Sequence, residues 1–241
     1  LEKGILIDPD SVLGEPLKPA AGANGGVATP DARWSEMLAD IDSLRPDRAL
    51  DGIVWVISAA RLCAATAEQR AAMGRYAYAR IHELQDAFAY ALPVYVVFSH
   101  CDTVPGFDGF WRTQDKRLLS QIVGWSSSTL DDNGLPADWV PKAFDKVIEG
   151  MRSLVLEVAT SRDHIDDVDG FFLFPQHMRS LQEPALDFLG TLFKTNVYET
   201  RSFCRGLYFT GVVGAGELPD TGAPRKDVSF VEGFIRDKAL A

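Results

Sequence analysis

Residues 93–102 read Pro93-Val94-Tyr95-Val96-Val97-Phe98-Ser99-His100-Cys101-Asp102, and this stretch decides the fold. Its apolar positions do not alternate with polar ones, so both faces of the strand must be covered, as in a parallel strand between helical layers. The polar residues that follow lie just beyond its carboxyl end, where open α/β sheets bind ligands. Ile53-Val54-Trp55-Val56-Ile57 repeats the pattern forty residues earlier.

Apolar runs at 4–7, 52–58, 93–98, 170–174 and 206–213 are expected as strands. Helical spacing fills the intervals. Over 66–89, Met73, Ala77, Ile81, Leu84 and Phe88 share one stripe, and Thr66-Ala67-Glu68-Gln69 is a capping box at its start. Val140, Phe144, Val147, Met151, Leu154 and Val158 predict a helix over 137–161. Met178, Leu181, Ala185, Leu189 and Leu192 predict another after Phe174, kinked or restarted at Pro184. A further helix is expected over 34–44. Alternating strands and helices define an α/β three-layer domain with a parallel or mixed sheet and right-handed crossovers.

The 241 residues, 46% hydrophobic and 24% charged, suffice for a sizeable core and exclude a disordered chain. The net charge of −10 repels nucleic acid and anionic lipid, so no nucleic-acid partner is expected. Cys63, Cys101 and Cys204 are widely spaced and read as free thiols. No uncharged run reaches the roughly 18 residues that span a bilayer. The chain opens at Leu1 without a signal peptide and closes inside a helical pattern over 228–241, so it is expected to be a piece of something longer. Segment 14–30 reads as a long loop, and 214–224 as a surface loop or a linker to the last helix.

Two strand ends carry candidate chemistry. After the first, Asp8-Pro9-Asp10-Ser11 delivers a carboxylate suited to positioning magnesium or water in phosphoryl transfer; its other reading is a turn before Pro9. After the third, Ser99-His100-Cys101-Asp102 has the layout of the GTPase base motif [NT]-K-x-D, and Asp102 is able to accept two hydrogen bonds from a base. The bland reading of Asp102 is a helix or turn cap. No Gly-Lys dipeptide occurs, so the chain holds no Walker loop. The carboxylates between Asp163 and Asp169 lack EF-hand spacing and read as a solvated connection. Neither H-E-x-x-H nor a G-x-S-x-G elbow is present, and His82 and His177 read as helix residues rather than ligands. Phe107, Phe110 and Trp111 have two readings: rings that close the top of the sheet, or a patch that docks a partner.

Taken with Phe174-Pro175-Gln176-His177-Met178, Arg205-Gly206-Leu207-Tyr208-Phe209-Thr210 and Phe234-Ile235-Arg236-Asp237, the stretch from Leu92 to Trp111 resembles the IcmF/TssM family of bacterial type VI secretion. That resemblance implies a three-layer P-loop-NTPase-like domain, mostly parallel and with helices on both faces. Here it would be incomplete, with extra C-terminal helices. It further implies a cytoplasmic domain over 1–214, on the cytoplasmic face of the inner membrane, followed by a linker and the start of a helical region over 215–241. Membrane attachment would come through segments of the parent protein outside this chain. The implied partners are the smaller inner-membrane subunit and the baseplate proteins.

Two departures bear on activity. Where the family reads D-T-A-G-R-Y, this chain has Asp8-Pro9-Asp10-Ser11-Val12-Leu13, with Ser11 in place of the glycine that contacts a γ-phosphate. Where it reads T-K-C-D, this chain has Ser99-His100-Cys101-Asp102, without the lysine stem. The expectation is therefore a docking scaffold with a degenerate or truncated nucleotide site and no catalytic residue or cofactor in this chain. The alternative is an active ATPase or GTPase with its P-loop upstream, binding ATP or GTP with magnesium near Asp8, Ser11, Ser99, His100 and Asp102.

Overall fold

The computed structural model describes residues 30–45, 49–115, 117–127, 136–161, 164–194, 203–214 and 228–239. The strand expected over 4–7, and with it Asp8 and Ser11, lies outside them. Helix α1 (Pro30–Leu44) turns Trp34 and Ile41 inward, onto Leu84, Phe88 and Leu92. Strand β1 (Ile53–Ser58) passes into α2 (Ala59–Ala64), with Ser58 as the N-cap. Helix α3 (Ala67–Phe88) opens with the expected capping box. Thr66 Oγ1 accepts from the Gln69 N–H at 3.3 Å, and Gln69 Oε1 accepts from the Thr66 N–H at 2.9 Å. Two N–H groups without helical partners are thereby satisfied.

Strand β2 (Pro93–Ser99) leads through a 3₁₀ turn (Cys101–Thr103) to α4 (Phe107–Arg112) and then β3 (Gly124–Ser126). Three helices follow: α5 (Trp139–Ser161), α6 (Val168–Arg179) and α7 (Gln182–Leu192). The chain closes with β4 (Phe203–Phe209), β5 (Gly211–Val212), β6 (Val228–Ser229), α8 (Val231–Phe234) and a π turn (Ile235–Ala239).

The main sheet has the order β1-β2-β4-β3. The first three strands are parallel, in register at Val56, Val97 and Tyr208, and β3 runs antiparallel to β4. The sheet is therefore mixed; its inner strands β2 and β4 carry the buried apolar runs, whereas the edge strand β1 leaves Val56 exposed. On one face Val94, Val96, Phe98, Leu207 and Phe209 join the main core with residues of α3, α5, α6 and α7. On the other, Val97 and Tyr208 pack against Phe234 of α8. Helices thus lie on both sides of the sheet. Of the segment 215–241, residues 228–239 are described; β6 pairs antiparallel with β5, and the buried Phe230 lies 4.5 Å from Trp111, centroid to centroid.

One expected strand is a helix. Residues 170–174 lie inside α6, whose N-cap Asp167 accepts from the Gly170 N–H at 2.9 Å. Phe171, Phe174 and Met178 fall on its buried side while Phe172 and Leu173 remain exposed. A glycine followed by four apolar residues fits a buried strand and a helix equally, and here the cap decides. The run at 206–213 is also divided: it begins at Phe203 and leaves the sheet at Thr210, whose N–H donates to Phe98 O while its carbonyl accepts from the Cys101 N–H. Helix α7 begins at Gln182, with Pro184 in its first turn, which is the expected restart.

Helices α3 and α7 approach closely at Gly74, where an added Cβ would lie 2.6 Å from Phe188 O and 2.8 Å from Thr191 Cβ. Arg70 ties the same layer together. Its Nε donates to Leu62 O at 2.8 Å and its guanidinium pairs with Asp187 at 3.1 Å. Among the described residues no helix is long and apolar enough to cross a membrane.

Candidate functional site

The carboxyl end of β2 is built by backbone geometry. His100 adopts a left-handed conformation with φ of 56°, which turns the chain sharply out of the sheet. Its carbonyl then accepts from the Thr103 N–H at 3.2 Å and the Thr103 hydroxyl at 2.7 Å. Ser99 Oγ and His100 Nδ1 lie 3.0 Å apart and bond to each other. Asp102 Oδ1 accepts from the Val212 N–H at 3.2 Å, so the carboxylate fastens β5 to the turn after β2. Cys101 is buried, and burial pushes its thiol up to about 12; Cys204 is raised to about 12 for the same reason. Neither thiol supplies a nucleophile near neutral pH.

Beyond this turn, Gly106 takes a φ of 81° against the Gly170 carbonyl, a position with no room for a side chain. The residues Phe107, Phe110 and Trp111 that follow are 2%, 0% and 3% exposed. They stack among Phe171, Phe174 and Phe230. Rings so buried offer a partner little surface, and their packing is that of rings closing the sheet end.

An open cavity of about 410 Å³ lies between α4 and the link from α5 to α6. Asp102, Asp108, Asp166 and Asp167 line it, with Arg112 and His164. Asp108 holds Arg112 Nε at 2.8 Å and accepts from the Gly214 N–H at 2.6 Å. Asp166 lies 3.2 Å from His164 Nε2. Four carboxylates against one arginine make the cavity hospitable to cations and repellent to phosphates. Among the described residues no group of three or more His, Cys, Asp or Glu is arranged to hold a metal ion.

The structure thus brings Asp102 to a cavity, while Ser99 and His100 do not line it and bond to one another. His177 Nδ1 lies 3.0 Å from Pro105 O and His82 Nδ1 lies 2.8 Å from Asp86. Asp108, Arg112 and Asp167 went unnoticed in sequence as cavity residues. Their convergence depends on α6 packing on α4, and the spacing of Asp167 to Gly170, a helix cap, is the one local signal that pointed there.

A mixed α/β sheet, with a sharp turn after β2 and an acidic cleft at its carboxyl end, defines the class. The match to a family model, described as the IcmF-related N-terminal domain, runs over residues 29–230, and the chain belongs to that family. Among curated proteins, the type VI secretion system component TssM1 of Pseudomonas aeruginosa is 32% identical over 194 residues, 78% of this chain and 17% of that protein. The chain therefore spans less than a fifth of that relative's length. No solved structure matches it.

Proposed function

We propose that this chain is a docking scaffold domain of a type VI secretion membrane complex, lying on the cytoplasmic face of the inner membrane, with a degenerate nucleotide site. Its partners on this reading are the smaller inner-membrane subunit and the baseplate proteins. One observation carries the loss of nucleotide chemistry: the residues where a base would bind are committed to internal bonds, Asp102 to Val212 and Ser99 to His100. The acidic cleft beside them repels a triphosphate. The relative's role as a secretion component supports the assembly.

A second reading keeps the fold as a nucleoside triphosphatase with its P-loop outside this chain; the position of Asp102 at a strand's carboxyl end beside a cavity favours it. Calorimetric titration of ATP and GTP, each with magnesium, into this chain and into one extended upstream separates the two. The scaffold reading expects no binding heat from either form, with retention of the small membrane subunit or a baseplate protein in pull-downs. Micromolar binding by the extended chain establishes the triphosphatase reading, and failure of every pull-down removes the scaffold.

A further inference from the structure

Helices α5 and α6 are antiparallel, because Asp145 near the start of α5 pairs at 2.7 Å with Arg179 at the end of α6. Eleven residues make just over three whole turns, so a position eleven along a helix returns to nearly the same flank. Leu156 stands eleven after Asp145, and Val168 stands eleven before Arg179. Helical spacing therefore places the two on facing flanks at the far end of the pair. Both are exposed, Leu156 at 68% and Val168 at 53%. Phe172, one turn beyond Val168, is 47% exposed, and Leu173 beside it is 45% exposed.

Four large apolar side chains thus form one surface strip two helices wide, whereas isolated exposed apolar residues need no explanation. Its surroundings are acidic. Among the described residues neighbouring it in the chain, Glu157, Asp166 and Asp169 are exposed alongside Arg152 and His164, and the carboxylate-lined cavity opens at the same end of α6. The spacing of Val168 and Phe172 fits the one-turn spacing of apolar anchors on an incoming helix.

We infer that this strip is the seat of a basic amphipathic helix presented by a partner protein. The helix lays its apolar side on Leu156, Val168, Phe172 and Leu173, and a lysine or arginine from its flank enters the cleft beside Asp166 and Asp167. The acid rim selects the occupant: it repels an anionic bilayer surface and an acidic helix alike. This rests on the scaffold reading and names the surface that reading uses.

The test uses the full-length protein in cells, with photo-crosslinking benzoylphenylalanine at position 172 or 156 and, as a control, at the exposed Glu68 of α3. Adducts from 172 and 156 but not from 68, mapped to a Lys- or Arg-rich amphipathic segment of another protein, are the expected result. Phe172→Asp, at a surface position that leaves the core intact, should cut recovery of that partner about tenfold. Adducts to lipid, to an acidic segment or to the same chain overturn the inference. So does an unreactive strip when the secretion partners still co-purify, an outcome that leaves the scaffold reading standing. Loss of co-purification in the unsubstituted protein removes both.

Discussion

Asp102 and Val212, 110 residues apart, are joined by one hydrogen bond from a backbone N–H to a carboxylate, which holds the short β5 against the turn after β2. The carboxylate that the motif layout offers to a base is therefore part of the fold's own closure. Asp102→Ala should lower stability by about 1 kcal/mol while leaving the heat of ATP or GTP titration unchanged. A variant that melts like the parent but alters nucleotide binding would reverse the assignment.

The two buried thiols give a pH dependence with a definite sign. Cys101 and Cys204 are held up to about 12, against an ordinary value of 9.0 that they regain on unfolding. Between those values the unfolded chain loses protons that the folded chain keeps, so stability is complete below about pH 9 and falls as pH rises toward 12. The slope approaches roughly 1.4 kcal/mol per pH unit for each thiol. Chemical denaturation at pH 8 and pH 10 measures it, and Cys204→Ala should flatten it relative to the parent. Cys63 is exposed, so a thiol reagent at pH 8 should modify it first and reach the other two only on unfolding.

The sequence exposed the parts whose signals are local. The stripe and cap of α3, the stripe of α5 and the apolar runs of β1 and β2 each specify an element without outside help. β3 could not be read: Gly124-Trp125-Ser126 is three residues long and becomes a strand only by pairing with β4. The cleft was hidden for a related reason, since Asp108 and Asp167 meet only after α6 packs on α4. The error at 170–174 came from reading an apolar run without its cap.

That cap is testable. Asp167 accepts from the Gly170 N–H at the start of α6, so Asp167→Ala should destabilise the domain by about 1 kcal/mol and Asp167→Asn should restore most of it. In a domain of this size about 1 kcal/mol corresponds to roughly 2–4 °C in Tm. Equal melting of parent and alanine variant would show that the bond contributes nothing.

Gly74 tests the contact between α3 and α7. A methyl there meets the Phe188 carbonyl at 2.6 Å, and backbone cannot swing aside as a side chain can. Although alanine favours a helix over glycine, Gly74→Ala should destabilise by about 1–3 kcal/mol through forced separation of the helices. Alanine at Gly150, which has nothing within 4 Å of the added methyl, should instead be neutral or stabilising. Urea midpoints for the two variants should move in opposite directions or differ clearly.

Arg70 joins three elements from one side chain: the Leu62 and Cys63 carbonyls at the end of α2 and the Asp187 carboxylate on α7, all from its place on α3. The ion pair is only 15% and 30% exposed, so its charges are screened less than those of surface pairs such as Lys142 and Asp138. Removing the guanidinium leaves Asp187 without its partner and two carbonyls short of a donor. Arg70→Ala should therefore cost about 2–3 kcal/mol, and Arg70→Lys should recover only part of it because one ammonium cannot span the three acceptors. Lys142→Ala, the exposed control, should change stability by less than about 0.5 kcal/mol. Denaturant titration of the three variants measures these differences, and a loss at Arg70 no greater than at Lys142 would refute the clamp.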